Sequence, residues 1–213
     1  YHSQRSLEML RNAGIPIVEI WDLNSSPLDM SVGINHFDSG FDMGRFLVGR
    51  GYRRIGYVGS HSDVMNFRLR EAGFGRAASA LGIETDAAHE LSVVATLDGA
   101  YRESLALLRA APSLAEAYFC ANDIIALGFM RALRDMGRSV PEDVSIVGFD
   151  NLPMAGVFDP PLTTIDVPKT RIGAMAIRLL DDLIAGEDPA QLTVKVLMTG
   201  ELVSRGNVAR KDG

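Results

Sequence analysis

The sequence predicts an α/β fold built on parallel sheets. The main observation is that short apolar runs alternate with segments of helical apolar spacing along all 213 residues. Glycine or proline separates most of these segments, and β-branched residues are common in the extended ones. Strands that alternate with helices form parallel sheets with helices packed on both faces. We therefore expect doubly wound parallel sheets.

The predicted helices are assigned where a spacing of three and four residues between apolar side chains begins and stops. They cover residues 3–13, 37–50, 66–81, 99–110, 123–136 and 169–185. Several end at a glycine, the residue that most often follows a helix. Gly14, Gly51, Gly82 and Gly137 hold these positions.

The extended runs between the helices are predicted strands. They cover residues 15–21, 55–59, 91–94, 115–121, 144–149, 163–165, 194–197 and 201–204. The run 144–149 is followed at once by a carboxylate, Asp150. In open α/β sheets ligands bind at the carboxyl ends of strands, so Asp150 is placed to meet one. A carboxylate accepts hydrogen bonds from hydroxyl groups, although Asp also commonly caps turns.

Three boundaries are predicted along the chain, the first where a strand passes into a new helix. These places lie near Asn35, at residues 166–168 and at residues 199–200. If the chain passes from one lobe to the other at all three places, it forms two lobes joined by three hinge crossovers. Residues 1–35 and 167–199 would then form one lobe. Residues 36–166 and 200–213 would form the other lobe.

The composition is that of an ordinary globular protein, with 47% hydrophobic and 23% charged residues and a net charge of -6. Without a block of Lys and Arg, this part of the protein is a poor candidate for gripping a phosphate backbone. No apolar run has the length of a membrane span, and no secretory signal is visible. The single cysteine, Cys120, excludes a disulfide within the chain, which fits a reducing compartment. We expect a cytoplasmic protein with no membrane contact.

Catalysis is not predicted. The histidines do not show metal-ligand spacing with one another or with Cys120, so no metal site is expected. The sequence also lacks a nucleophile elbow and a phosphate-binding glycine loop. We expect no catalytic residues and no cofactor.

Several motifs resemble the lactose/galactose repressor (LacI/GalR) family of bacterial regulators. They are GYRRIGYVG at 51–59, RLREAGF at 68–74, ANDIIALG at 121–128, VPEDVSIVGFD at 140–150 and PPLTTI at 160–165. Their order and spacing follow the family over nearly the whole chain. The resemblance implies a periplasmic-binding-protein-like fold of two lobes with a sugar-type effector in the cleft between them.

The resemblance also implies a longer working protein. In the family, a helix-turn-helix head at the amino end binds operator DNA, and this head and the first strands of the first lobe are not found in these 213 residues. The sheet of that lobe would then expose an apolar face. The stretch 14–40 is most similar in style to gluconate-operon repressors, which points to a sugar acid as the effector.

The resemblance assigns ligand contacts to Asp150, Asn122 and Arg70. Asn122 would offer an amide that donates and accepts, although Asn at the start of a helix is also a common cap. The planar guanidinium of Arg70 suits a carboxylate or paired sugar oxygens, although a surface arginine or an ion pair with Glu71 or Asp63 remains the alternative. Arg68, on another helical face, is assigned a structural role.

In the first lobe, Trp21 and Asp22 end a predicted strand and Asn35 lies at a predicted hinge. Trp21 is the lone tryptophan, and core packing and stacking on a sugar ring are equally open for it. Asp22 is a turn residue or a pocket acceptor. Asn35 is a further, weaker pocket candidate.

The resemblance places a homodimer interface, within a dimer or tetramer, at Leu127, Met130 and Phe158. Plain core packing would give these apolar residues the same spacing. The leading interpretation is thus the effector-binding and dimerisation part of a regulator. The alternative is the soluble sugar-binding protein of an ABC transporter, which shares the fold, and an enzyme on the same scaffold would need a motif that is not found.

Overall fold

The structure is a computed structural model that describes residues 3–23, 26–83, 89–111, 113–187 and 195–211. The helices are α1 (Gln4–Asn12), α2 (His36–Gly49), α3 (Met65–Ala80), α4 (Leu97–Ala110), α5 (Asp123–Asp135), α6 (Pro153–Val157) and α7 (Lys169–Ile184). The strands are β1 (Val18–Asp22), β2 (Met30–Ile34), β3 (Ile55–Ser60), β4 (Glu90–Val93), β5 (Ala117–Cys120), β6 (Ser145–Val147), β7 (Thr164–Asp166), β8 (Lys195–Leu197) and β9 (Glu201–Val203). The predicted α/β class is confirmed. Val194, where the strand 194–197 was predicted to begin, lies outside the described residues.

The chain divides into two compact units. Unit 1 consists of Tyr1–Asn35 and Pro168–Gly200, and unit 2 consists of His36–Val167 and Glu201–Gly213. The chain therefore passes from one unit to the other at three points. Each unit has a parallel sheet of its own.

Unit 2 contains a parallel sheet with the strand order β4-β3-β5-β6. A bridge between Val147 and Thr163 continues it, in parallel, towards β7. Strand β7 itself pairs with β9 antiparallel, which the alternating pattern of the sequence did not predict. The buried strands β3, β5 and β6 form the centre of this unit, as expected for a sheet covered by helices on both faces.

Helices α2 and α3 of unit 2 pack unusually closely because of glycine. A Cβ atom at Gly40 would collide with the carbonyl group of Arg70, and one at Gly73 would collide with the carbonyl group of Phe37. Beneath these helices, the rings of Tyr57 and Phe119 meet edge to face at 5.5 Å between centroids. These contacts pack the middle of α3 against α2, and α3 also packs on β3.

The segment after β9 is bound to unit 2 through the buried side chain of Asn207. Its Oδ1 accepts from the backbone of Thr163 at 2.7 Å, and its Nδ2 donates to the carbonyl of Ile146 at 2.5 Å. This one amide thus joins β6 to the residue that precedes β7, where regular pairing is reduced to a single bridge. Asn207 satisfies buried backbone groups that would otherwise be costly.

Unit 1 contains the parallel sheet β1-β2-β8, with α7 packed on β1 and β2. The central strand β2 is buried throughout. At the two sides of the described sheet, Ile20 of β1 is 56% exposed and Leu197 of β8 is 57% exposed. Ile177 and Ile184 of α7 are also exposed. Unit 1 therefore leaves several large apolar side chains exposed.

Candidate ligand site

The strand order of unit 2 defines where a ligand would enter. Strand β4 lies on one side of β3, whereas β5 and β6 follow on the other side, so the order reverses between β3 and β5. The connections that leave the carboxyl ends of these two strands diverge at that point and leave a crevice. Helix α3 follows β3 and helix α5 follows β5, and the predicted residues Arg70 and Asn122 belong to these connections.

Asn122 is the N-cap of α5. Its Oδ1 accepts from the backbone N–H of Ile125 at 2.9 Å, so the capping interpretation is correct. The cap uses only the amide oxygen, and the side chain remains partly exposed. Its amide donors are not consumed by this bond, and the capping role and a ligand role are compatible.

Asp150 lies in the loop after β6 with a φ of 108°, and Asn151 follows with a φ of 48°. Consecutive positive φ values in residues other than glycine carry strain, and such residues cluster at functional sites. Asp150 does not cap the helix that follows, because the N-cap of α6 is Leu152 and makes no side-chain cap bond. The backbone N–H of Asp150 donates to the carbonyl of Ile165 at 2.9 Å.

The loop that carries Asp150 is held by a buried carboxylate, Asp123. This side chain accepts from the backbone N–H of Leu152 at 2.7 Å and from the hydroxyl of Thr164 at 2.6 Å. Burial raises the pKa of Asp123, while these hydrogen bonds oppose the rise. Asp123 lies in the first turn of α5, and its contacts with Leu152 and Thr164, 29 and 41 residues away, follow from no local sequence pattern.

Arg205 holds the same loop from the other side. One guanidinium nitrogen donates to Oδ1 of Asn151 at 2.8 Å, and another donates to the carbonyl of Leu162 at 2.6 Å. The partners are 54 and 43 residues away in sequence, so no local pattern reveals them.

Arg70 is buried, and its interpretation as a solvated surface residue is wrong. Only 2% of it is exposed, and its guanidinium carbon lies 4.0 Å from the centre of the Phe149 ring. Its Nη1 lies 2.7 Å from Nδ1 of His36. Because a guanidinium can only donate, Nδ1 of His36 is the acceptor. Asp63, one of the predicted alternative partners, pairs with exposed Arg68 at 2.7 Å.

Asn66 is a candidate that the sequence analysis missed. It lies one helical turn before Arg70 on α3, in the part of the chain that leaves β3. Its Oδ1 is buried and accepts no hydrogen bond from the described residues. A buried acceptor without a partner is costly, and a ligand hydroxyl at this position would satisfy it.

Phe149 connects the predicted ligand residues of unit 2. Its ring packs against the guanidinium of Arg70, and its carbonyl accepts from the N–H of Asp123, next to Asn122, at 2.9 Å. Asp150 is the residue that follows it. The structure thus brings Arg70, Asn122 and Asp150 together around one aromatic residue at the strand ends of a single sheet.

The predicted residues of unit 1 lie at the carboxyl ends of two neighbouring parallel strands. Asp22 is in register with Ile34, the residue before Asn35, so both candidates lie at one edge of the sheet. Trp21 has a φ of 86° and is partly buried, which leaves both interpretations of this residue open.

The predicted interface residues surround two surface pockets. Leu127 and Met130 are buried within the chain itself, whereas Phe158 is partly exposed. A pocket of about 350 Å³ is lined by Leu127 and Phe158 among others, and one of about 320 Å³ by Met130 and Phe158. Phe158 therefore lines both pockets.

Within the described residues, no group of three or more His, Cys, Asp or Glu side chains is arranged to hold a metal ion. None of the helices in this part of the chain combines the length and apolarity required to cross a bilayer.

A doubly wound unit with polar side chains converging at its switch point is typical of a domain that binds small ligands. Comparison with known families matches residues 45–208 to the periplasmic binding protein-like domain. The chain belongs to this family. Its relatives and structural neighbours place it with the domains of LacI-family transcriptional regulators. The resemblance inferred from the motifs is confirmed.

Two curated relatives are named as regulators. The HTH-type transcriptional regulator GntR of Escherichia coli K12 is 31% identical over 209 residues, which cover 96% of this chain and 60% of that protein. The HTH-type transcriptional repressor PurR of Mannheimia succiniciproducens is 35% identical over 176 residues, or 83% of this chain and 52% of that protein. The chain thus spans little more than half the length of these relatives.

Two solved structures share the fold. The transcription regulator GntR of Chromobacterium violaceum gives a TM-score of 0.86 at 31% identity, covering 96% of this chain and 74% of that one. A LacI family regulator of Enterococcus faecium, solved with bound ribose, gives a TM-score of 0.85 at 29% identity and covers 99% of this chain and 77% of that one.

Proposed function

We propose that the chain is the effector-binding and dimerisation domain of a LacI-type transcriptional regulator, acting in the cytoplasm. Its effector is a small sugar or sugar acid, and binding changes the affinity of an attached head for operator DNA. The observation that carries this proposal is the convergence of Arg70, Asn122 and Asp150 around Phe149 at the switch point of unit 2.

The three side chains are chemically complementary to an oxygen-rich molecule. The Asp150 carboxylate accepts from vicinal hydroxyl groups, and the amide donors of Asn122 offer bonds to ring or hydroxyl oxygens. The cationic Arg70 favours an effector that carries a carboxylate. Asp22, Trp21 and Asn35 of unit 1 are proposed as additional effector contacts on the basis of the sequence resemblance.

The regulatory mechanism is a shift between two arrangements of the protein that differ in effector affinity. An effector shifts this equilibrium only by the difference between its affinities for the two arrangements. An arrangement that binds the effector more tightly would hold the attached heads in a different geometry and so alter operator binding.

A sugar-binding component of a transporter is the second candidate, because it shares the fold. The relatives and solved structures reported above are named as transcriptional regulators, which favours regulation over transport and over catalysis. Of the four proteins reported above, the Enterococcus faecium regulator is described with a ligand, ribose. The preference for a sugar acid rests on Arg70 and on the resemblance of residues 14–40.

Isothermal titration of the chain with D-gluconate tests the proposal, with D-glucitol as the matched neutral polyol. We expect gluconate to bind more tightly than glucitol. Asp150→Asn should weaken gluconate binding by roughly tenfold or more, as expected when a charged hydrogen-bond partner is lost. Equal affinity for gluconate and glucitol would remove the sugar-acid assignment. Unchanged affinity in Asp150→Asn would remove Asp150 from the site.

A further inference from the structure

The backbone that presents Asp150 is in a conformation that it would not adopt by itself. Asp150 and Asn151 both have positive φ values, and neither is a glycine. Such conformations persist only where surrounding bonds determine them. The hydrogen bonds that hold Asp150 and Asn151 in this conformation therefore belong to the candidate site.

The centre of these bonds is the hydroxyl of Thr164, a fully buried residue on β7. It donates to Oδ1 of Asp123 at 2.6 Å and accepts from the backbone N–H of Asn151 at 3.3 Å. The other oxygen of Asp123 accepts from the backbone N–H of Leu152 at 2.7 Å. Two consecutive backbone N–H groups of the loop are thus held through one hydroxyl and one carboxylate.

The directions of these bonds are fixed by the chemistry of the groups. A backbone N–H can only donate, and an ionised carboxylate can only accept. The Thr164 hydroxyl is the one group between Asn151 and Asp123 that does both. Gly148 permits the arrangement, because a Cβ atom there would collide with Oδ1 of Asp123.

We propose that Thr164, acting with Asp123, is a positioning residue that sets the direction of the Asp150 carboxylate for effector binding. This inference rests on the proposed function, in which Asp150 contacts the effector. Without the hydroxyl, Asn151 loses a partner for its N–H and the strained pair of residues relaxes. The carboxylate of Asp150 then spends less time in the direction that meets the effector, so affinity falls.

A double-mutant cycle tests the proposal, using gluconate titration of the whole chain. Thr164→Val keeps the shape of the side chain without the hydroxyl, whereas Thr164→Ser keeps the hydroxyl. We expect Thr164→Val to weaken binding about tenfold and Thr164→Ser to stay within roughly threefold of the parent. In the Asp150→Asn background, Thr164→Val should produce no further loss, because residues that act through one another are not additive.

The control is Ser145→Ala, which removes a buried hydroxyl from neighbouring β6. That hydroxyl bonds to Tyr52 and to the backbone of Ala209, away from the loop. Its loss should lower the melting temperature and leave gluconate affinity unchanged. A merely structural role of Thr164 would give the same pattern as Ser145→Ala.

Arg205→Met provides a second probe should Thr164→Val not fold, since it removes the bond to the Asn151 side chain from the opposite side. It should also weaken binding in the parent and have no further effect with Asp150→Asn. The proposed function fails if Asp150→Asn alone binds gluconate normally. The positioning role is overturned if Asp150→Asn weakens binding but Thr164→Val and Arg205→Met do not, or if their effects simply add to it.

Discussion

At the scale of single residues, the two buried ionisable side chains Arg70 and Asp123 of unit 2 have different roles. Arg70 is packed on the face of Phe149, where a cation gains from the ring quadrupole, and it projects from the helix that follows β3. Asp123 is surrounded by donors from the loop and from β7. One charge is placed at the strand ends where a ligand would arrive, and the other holds the frame around it.

Glu116 lies outside the candidate site, and the contribution of its charge to the stability of the fold can be tested by changing the pH. Its Oε2 accepts from the backbone N–H groups of Arg53 at 2.9 Å and Arg54 at 3.1 Å. Partial burial raises the pKa of Glu116, but these two bonds and the charges of Arg54 and Lys211 outweigh it, so the pKa lies below its usual 4.5. Because the pKa of Glu116 is lower in the folded than in the unfolded protein, its ionised carboxylate stabilises the fold at pH values above the unfolded pKa. This stabilisation is lost as the pH falls through the folded pKa.

We therefore expect Glu116→Gln to lower the free energy of unfolding at pH 7 by about 0.5–1 kcal/mol, a modest effect because the group is partly exposed. The difference from the parent should shrink as the pH falls below 4.5 and through the lower folded pKa. Urea unfolding at neutral and acidic pH measures it. The exposed Glu142→Gln serves as control and should change little at either pH. A pH-independent difference would contradict the assignment to charge.

At the scale of elements, the contact of α2 with α3 depends on glycine at particular positions. Gly73 faces the carbonyl of Phe37 with no room for a methyl group. A Cβ atom at Gly75, on the same helix, would meet no described atom within 4 Å beyond the backbone of its own helix. The two glycines have the same intrinsic helix propensity. They differ in what lies opposite them.

Gly73→Ala should lower the free energy of unfolding by about 1–3 kcal/mol, because the two helices must separate to admit the methyl group. Gly75→Ala should instead raise it by about 0.5–1 kcal/mol, because alanine is the better helix former and meets nothing there. Chemical denaturation of both variants measures the contrast. Similar stabilities for the two would show that the helices do not approach as closely as described.

Much of the element order is predictable from sequence because helical spacing and glycine stops are local signals. The helices at residues 66–81 and 123–136 were predicted within one residue of α3 and α5. Helix α6 was missed, since five residues beginning at Pro153 are too few to show a period. The antiparallel pairing of β7 with β9 was missed because a local pattern does not specify the partner of a strand.

The candidate site was predictable to a similar extent. Its residues at strand ends, Asp150 and Asn122, follow from the pattern of strands and from family motifs. The groups that hold them do not, because Asp123, Thr164 and Arg205 meet only after the chain has folded. Their contacts span 29 to 54 residues.

At the scale of the whole molecule, the proposed dimer depends on the surface around Phe158. Phe158 is partly exposed between two pockets that are lined by Leu127 and Met130, respectively. Nearby Val157 is 85% exposed. Exposed apolar side chains beside unfilled pockets are typical of a surface that a second copy covers.

If the proposed dimer forms through Phe158, Phe158→Asp should convert it to monomers, because the association would bury an unpaired charge. Light scattering at several concentrations measures the mass. Leu81→Asp, which places the same charge at an exposed leucine at the end of α3, should leave the mass of the dimer unchanged. A Phe158→Asp protein that keeps the parent mass would remove Phe158 from the interface.

Trp21, at the end of β1, is the lone tryptophan of the chain and belongs to unit 1. Its emission spectrum is therefore a built-in optical probe of that unit, whereas circular dichroism reports helices of both. If the two signals change at different denaturant concentrations, the units melt one after the other. Coincident unfolding curves would show that the two units, which the chain connects at three points, unfold cooperatively.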